Sequence, residues 1–212
     1  MKRGLWAVIS IVFLLSMAAC AGVPVRDEVK LDAKAPVGKI EGNQFTGIRY
    51  PFNVTAPPGW KIAMTYPEFL LSQGFEKGGV EDSQAYVYNP ETKSSVQIEL
   101  SPAGRRVRFD QKTIEYLTAQ GFGDIPETYG KTPGFQMTKV EPYKLKTVPY
   151  AAKQSAVYNL KGQKQDHGIV YAFAEPFQIF IIYLVTEKGG AADREAVKAV
   201  LDSFEMTNTG KK

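Results

Sequence analysis

The sequence is poor in cysteine and histidine: its 212 residues include one of each. A single cysteine excludes an intramolecular disulfide framework and any zinc or iron–sulfur site built from several cysteines. A single histidine excludes the common metal sites that need several imidazoles. Hydrophobic residues make up 44% of the chain, which is ordinary for a globular protein and excludes disorder over its whole length.

Long apolar runs are also scarce, and the main one lies at the amino terminus. Residues 5–19 are apolar except for Ser10 and Ser16, and Lys2 and Arg3 precede them. A membrane-spanning helix needs about 20 apolar residues, whereas a charged start with a shorter apolar run is typical of a secretory signal peptide. The sequence therefore predicts a signal peptide at residues 1–19 and export of the rest.

The only cysteine, Cys20, directly follows this run. The segment Leu15-Ser16-Met17-Ala18-Ala19-Cys20 resembles a bacterial lipobox, in which small residues precede a cysteine that carries diacylglycerol. We predict that Cys20 is the lipidation site, with palmitate among its acyl chains, and that these chains anchor the protein in a membrane. Two other interpretations are open: cleavage after Ala21 would discard Cys20, and the cysteine could be an incidental residue of the apolar run.

The residue after the cysteine bears on the location of the protein. Ala21 is not the aspartate that retains such proteins in the inner membrane of enterobacteria, so the predicted location is the outer membrane, facing the periplasm.

Loss of Lys2 and Arg3 with the signal peptide lowers the formal net charge from +4 to +2. A charge this small predicts no nucleic-acid binding.

Composition divides the remainder of the chain into three parts. Residues 20–44 contain the predicted lipidated cysteine and a Pro-, Gly- and Lys-rich stretch without apolar periodicity, which predicts a flexible tether. Residues 45–206 are long enough for one domain with a sizeable core. Residues 207–212 form a polar tail.

The pattern inside residues 45–206 favours strands that form hairpins, with helices in the middle and at the end. Segments 83–88 and 95–100 predict a hairpin, Asp110 is the expected N-cap of a helix that ends at Gly121, and residues 123–134 read as a loop. Four strands are expected at 137–145, 151–160, 169–174 and 177–185, with a polar turn at 162–168. The last of these is apolar on both faces, as in a central strand.

The final element is helical, because Val197, Val200, Leu201 and Phe204 follow the spacing of one buried helix face. The predicted fold class is α+β: a mostly antiparallel β-sheet packed by helices on its faces, with a C-terminal amphipathic helix.

The order of elements resembles a known family. Pro57-Pro58-Gly59-Trp60 follows the first strand, and the closing helix ends in Leu201-Asp202-Ser203-Phe204. These features are similar to the PsbP-like family, which includes extrinsic photosystem II subunits and bacterial lipoproteins of the DcrB type. The resemblance covers residues 45–206 and implies an antiparallel sheet sandwiched by helices. It also implies an accessory or scaffold role, and it transfers no ligand residues.

No motif of an enzyme stands out. A catalytic triad would need His167, which lies beside Asp166 in the predicted polar turn, and the sequence has no Gly-x-Ser-x-Gly elbow or P-loop. Asp166 and His167 could also join distant carboxylates around a metal, although local ligand spacing is absent. A third cluster, Arg105, Arg106 and Arg108, fits either a solvated loop or a contact with anionic groups. We predict no catalytic residues, no metal and no cofactor.

Tyrosines are frequent in the C-terminal strands, and two interpretations fit them. Tyr143, Tyr150, Tyr158, Tyr171 and Tyr183 could line a ligand groove, or they could pack the core. The leading hypothesis is a non-enzymatic, membrane-anchored periplasmic lipoprotein whose domain contacts an envelope protein. The alternative is a small-ligand- or metal-binding module.

Overall fold

A computed structural model of the protein describes residues 25–75 and 83–207. The predicted signal peptide and Cys20 lie outside these residues, and so does the polar tail apart from Thr207. The chain divides into two units, and the described part of the smaller one comprises residues 25–28 and 104–108. The larger unit contains all the helices and strands named below.

Most strands of the larger unit belong to one eight-stranded sheet. Strand β11 lies inside it between β6 and β10, and the order is β4-β5-β6-β11-β10-β9-β7, with β8 also paired to β9. All of the pairings described are antiparallel. The strands are β4 Lys61–Ala63, β5 Ala85–Tyr88, β6 Ser95–Pro102, β7 Gln136–Met137, β8 Glu141–Pro142, β9 Tyr150–Leu160, β10 Gln163–Ala174 and β11 Phe177–Thr186.

A second, four-stranded antiparallel sheet comes from the two ends of the described chain. Its order is β1-β2-β3-β12, so the last strand pairs with one of the first. The strands are β1 Gly38–Glu41, β2 Gln44–Gly47, β3 Phe52–Thr55 and β12 Glu205–Met206. This pairing joins the two ends of the described chain within a single folded unit.

The described residues also form three α-helices and one 3₁₀ helix. They are the 3₁₀ helix Glu68–Gln73, α1 Gln111–Gly121, α2 Asp124–Tyr129 and α3 Gly190–Ser203. Asp110 is the N-cap of α1, and its carboxylate accepts a hydrogen bond from the Thr113 amide at 2.9 Å. A carboxylate at this position satisfies an amide that the first helical turn leaves unpaired.

The main core lies between the small sheet, one face of the large sheet and α3. Phe52 is fully buried, and its ring centroid lies 4.9 Å from that of Phe45 and 5.6 Å from that of Phe204 at the end of α3. Ile179 and Ile181 of β11 face this core. On the opposite face, α1 packs against β9 and β10. The predicted α+β fold with a C-terminal helix is therefore confirmed.

The predicted tether at residues 20–44 was wrong in part. Strand β1 lies within it, and Ile40 packs against the main core. In the smaller unit, the Arg26 amide donates to the Arg105 carbonyl at 2.9 Å. The sequence pattern missed β1 because it is short and has a single partly buried apolar side chain, so it lacks the alternation that marks a strand.

The predicted polar turn at residues 162–168 was also wrong. Only Lys161 and Gly162 form the turn, and both have positive φ angles (51° and 82°), as a tight two-residue hairpin requires. Strand β10 then runs from Gln163, because backbone pairing with β9 and β11 on both sides stabilises a segment with little apolar character.

Two other predicted segments differ from the structure. The expected loop at 123–134 contains the short helix α2, where Pro126 occupies the first turn and its missing N–H removes no helical hydrogen bond. The expected strand at 137–145 is reduced to the two short strands β7 and β8.

One buried carboxylate joins α3 to the turn between β5 and β6. Asp193 is 4% exposed, and it accepts hydrogen bonds from Asn89 Nδ2 at 3.1 Å and from the Thr92 hydroxyl. Gly189 lies so close that an added Cβ would be 2.0 Å from an Asp193 carboxylate oxygen. The turn therefore holds the Asp193 carboxylate in place through two side-chain hydrogen bonds, while Gly189 leaves room for it.

We expect Asp193→Ala to lower the free energy of unfolding by about 2–3 kcal/mol, because the substitution leaves buried donors without an acceptor. Urea denaturation followed by circular dichroism measures the loss. Asp202→Ala is the matched control, since it removes an exposed carboxylate from the same helix and should change stability little. Equal losses in the two variants would contradict the role of Asp193.

Candidate functional site

A cleft of about 300 Å³ lies between the large sheet and α3. Strands β9, β10 and β11 supply its floor, and α3 supplies one wall. We call it the Lys153 cleft and define it by these lining residues: Tyr143, Lys153, Ser155, Asp166, Tyr183, Val185, Arg194, Glu195, Val197, Lys198 and Leu201. It combines buried apolar side chains with charged groups and hydroxyls, which is the usual lining of a small-molecule site.

A glycine shapes the floor of the Lys153 cleft. Gly168 of β10 lies opposite Tyr183 of β11 in the register, and an added Cβ would be 2.1 Å from Tyr183 Cζ. The tyrosine ring therefore lies across the glycine, with its hydroxyl near Ser155 of β9. Burial, followed by the negative charge of Asp166, raises the pKa of Tyr183. The phenol consequently stays protonated at neutral pH.

Charged side chains surround this floor. Lys153 Nζ lies 5.6 Å from the ring centroid of Tyr143 and 5.5 Å from that of Tyr183, within the range of a cation–π interaction. Asp166 pairs with Arg194 of α3 at 2.7 Å. This ion pair links the sheet to the helix at the edge of the cleft.

The single histidine lies on the other face of the same sheet. His167 is 8% exposed, and its Nδ1 lies 3.1 Å from the Tyr158 hydroxyl. The rings of Phe75 and Phe122 pack edge-on against it, with centroid distances of 5.6 and 5.2 Å. Nε2 is buried and has no hydrogen-bond partner among residues 25–75 and 83–207. Burial lowers the pKa of His167 to about 4, so the ring is neutral at pH 7.

The side chains of Asp166 and His167, the two residues that the sequence suggested for a triad or a metal site, lie apart in the structure. Asp166 and His167 are consecutive in β10, so their side chains point to opposite faces of the sheet. The placement of His167 in a polar turn was therefore wrong, and the alternative that grouped it with Asp166 around one metal does not fit this geometry. Arg105, Arg106 and Arg108 are exposed after β6, which fits both interpretations of this cluster, and Arg105 Nε donates to the Arg26 carbonyl at 3.3 Å.

The five tyrosines do not line one groove. Tyr143 and Tyr183 line the Lys153 cleft. Tyr158 contacts His167 on the opposite face, where the Tyr129 ring stacks on it with a centroid distance of 4.1 Å. The other two, Tyr150 and Tyr171, pack against the cluster that contains Ile114 of α1. The packing interpretation therefore holds for Tyr150, Tyr158 and Tyr171, whereas Tyr143 and Tyr183 line a cleft.

Sequence reasoning missed Lys153 and Gly168 as site residues. Lysine is common on exposed strands, and only the folded positions of Tyr143 and Tyr183 distinguish this one. Gly168 lay in a segment assigned to a turn. A glycine inside a strand is a signal for close approach by a neighbouring group, and a correct strand assignment would have revealed it.

Three further observations concern metals, membranes and the anchor. No group of three or more His, Cys, Asp or Glu side chains that could hold a metal occurs in residues 25–75 and 83–207. Within the same residues, no helix has the length and apolarity needed to cross a bilayer. Cys20 lies outside the described part, so its lipidation stays a prediction.

Comparison with known proteins shows similarity in fold. No protein-family model and no curated protein matches the sequence. The crystal structure of LpqN from Mycobacterium tuberculosis, described as involved in cell envelope biogenesis, matches with a TM-score of 0.51 and 12% identity. The match covers 74% of this chain and 83% of LpqN. At this level of identity, the match establishes a shared fold.

Two further structures are similar. A crystal structure from Bacteroides thetaiotaomicron matches with a TM-score of 0.50 and 16% identity, over 82% of this chain and 51% of that one. This chain therefore spans about half of the Bacteroides chain. The solution structure of the cyanobacterial PsbP of Synechocystis sp. PCC 6803 aligns with a TM-score of 0.47 and 10% identity, over 81% and 99% of the two chains.

The burial of His167 predicts a specific loss of stability in acid. Its folded pKa of about 4 lies below the unfolded value of 6.5, so the unfolded chain binds more protons between these values and stability falls as the pH drops. Between pH 7 and pH 5, we expect the wild type to lose about 2 kcal/mol more than His167→Gln. Urea titrations of both proteins at both pH values measure this difference. The other titrating groups are the same in the two proteins, so their contributions cancel. Parallel pH profiles would show that His167 does not titrate as a buried group.

Proposed function

We propose that this protein is a lipid-anchored accessory lipoprotein of the bacterial cell envelope, whose α+β domain contacts an envelope protein partner and performs no catalysis. The observation that carries the envelope role is the fold shared with LpqN, a protein described as involved in cell envelope biogenesis. The apolar run that ends at Cys20 supports the same role, because it predicts export and a lipid anchor.

The proposed location is the outer membrane, with the domain facing the periplasm. Lipidated Cys20 would hold the amino terminus at the membrane, and the residue after it, Ala21, lacks the charge of the enterobacterial retention signal. Two or more acyl chains give stable anchoring, since each buried methylene contributes about 0.8 kcal/mol. The domain then meets its partners at the membrane surface.

The environment of the single histidine supports binding rather than catalysis. A general base must come within hydrogen-bond reach of the proton that it removes. His167 lies instead beneath Phe75 and Phe122, with one ring nitrogen already next to the Tyr158 hydroxyl. Its pKa of about 4 also makes it a weak base at neutral pH.

A second candidate function is a small-ligand-binding module, and the Lys153 cleft favours it. The cleft has the volume of a small-molecule site, and Tyr143, Tyr183 and Lys153 converge on it from three separate segments of the chain. Such convergence of apolar and polar groups is typical of ligand pockets.

The anchor is tested by expressing the wild type, Cys20→Ala and Ala21→Asp in an enterobacterial host. We expect the wild type in the outer-membrane fraction, with an amino-terminal peptide whose mass includes acyl chains on Cys20. Cys20→Ala should lack the acyl chains, and Ala21→Asp should move to the inner membrane while remaining acylated. An unmodified amino terminus in the wild type would overturn the lipoprotein assignment.

The accessory role is tested by chemical cross-linking in intact cells, followed by mass spectrometry of the captured proteins. The matched control carries residues 1–28 fused to an unrelated periplasmic domain, so that it shares the anchor but lacks the larger unit. We expect at least one envelope protein to be enriched with the native chain over this control. Equal recovery from both would contradict a specific contact made by the domain.

A further inference from the structure

The ammonium group of Lys153 is held inside its cleft by aromatic rings. Lys153 and Ser155 are two residues apart on β9, so both side chains point to the face that α3 partly covers. Nζ lies at nearly equal distances, 5.6 and 5.5 Å, from the ring centroids of Tyr143 and Tyr183. Because cation–π contact does not use the N–H groups as a carboxylate would, the ammonium keeps hydrogen-bond donors for another acceptor.

The nearby carboxylates do not neutralise Lys153 directly. Its cross-strand neighbours in the register are Val170 of β10 and Glu141 of β8, and the glutamate is exposed. Among the ion pairs formed by residues 25–75 and 83–207, none includes Lys153. Asp166 is occupied by Arg194 at 2.7 Å. The ammonium is therefore the cation of the cleft that lacks an ionic partner in the described part of the chain.

The α3 wall offers an apolar surface beside this cation. Val197 and Leu201 are one turn apart on the helix, and both are buried by more than nine-tenths although they line the cleft. Val185 of β11 continues this surface on the floor. An alkyl group that reaches these side chains is itself removed from water, at about 25 cal/mol per Å² of its own apolar surface.

We propose that the Lys153 cleft binds a small organic oxyanion, whose carboxylate or phosphate group accepts hydrogen bonds from Lys153 and whose apolar part contacts Val197 and Leu201. The proposal rests on the second candidate function, ligand binding, and names the chemical class of the ligand. A volume of about 300 Å³ limits the ligand to a small molecule. The Ser155 hydroxyl is a further polar group on the floor for the anionic end.

The test uses the full-length protein in phospholipid nanodiscs, with leucine and valine methyl groups labelled for NMR. Hexanoate and hexyl phosphate are the probes, and they distinguish a carboxylate from a phosphate ligand. Acetate provides the anion without the chain, and hexan-1-ol provides the chain without the anion. We expect either or both probes to shift the methyl signals of Val197 and Leu201 in a saturable manner, and to bind more tightly than acetate or hexan-1-ol.

Variants at Lys153 test the role of the charge. Lys153→Gln should weaken the binding of the preferred probe about tenfold, the expected effect of losing one charge-assisted hydrogen bond. Lys153→Arg should retain binding because it keeps the cation. Lys112→Gln is the matched control, since it removes an exposed positive charge from α1 on the opposite face of the sheet. An unchanged methyl spectrum outside the cleft verifies that each variant is folded.

The outcomes separate the two hypotheses. Equal affinity for hexan-1-ol and hexanoate, or unchanged affinity in Lys153→Gln, would overturn the oxyanion class while leaving ligand binding at the cleft in place. If none of the probes shifts the Val197 and Leu201 methyl groups, or if the shifts lie elsewhere, both this inference and the second candidate function are wrong.

Discussion

The double-sided burial of β11 is the constraint on which the rest of the structure depends. Its ten residues, Phe177–Thr186, contain apolar side chains on both faces, and the backbone must also pair on both edges. β6 and β10 pair with its edges, and α3 and the small sheet cover one face. The other face adjoins the layer formed by α1, where Phe180 and Ile182 pack against the cluster that contains Phe122.

Helix α3 covers only part of its face of the large sheet, and the Lys153 cleft lies beside the covered part. Within the large sheet, helix α3 packs chiefly on β11, whereas the neighbouring floor formed by β9 and β10 carries Lys153, Ser155 and Asp166. Those polar groups would be costly beneath an apolar helix face, because burial without partners removes them from water. The sheet therefore presents a lined recess beside the helix. On the opposite face, His167 is more than nine-tenths buried and neutral, so one strand, β10, contributes both a polar recess and a buried imidazole.

Elements with a strong apolar period were predictable from the sequence. The hairpin of β5 and β6, the N-cap at Asp110, the central position of β11 and the helix face with Val197 and Leu201 all agree with the structure. Each of these has local chemistry that nearly specifies its conformation. Short or polar strands such as β1 and the start of β10 were missed, because they are stabilised mainly by backbone pairing with a neighbouring strand. Their own residues carry little preference for a strand.

By itself, the sequence determined the α+β class and the central strand, and it predicted a lipidation site at Cys20. These features depend on composition and periodicity, which are local properties of the chain. Only the tertiary structure decided which of the frequent tyrosines and lysines belong to a site. Tyr143, Lys153 and Tyr183 come from three segments, and their convergence depends on strand register and on the absence of a side chain at Gly168. The tertiary structure also places His167 in the interior and not in a turn, because side-chain direction in a strand follows from pairing and not from polarity.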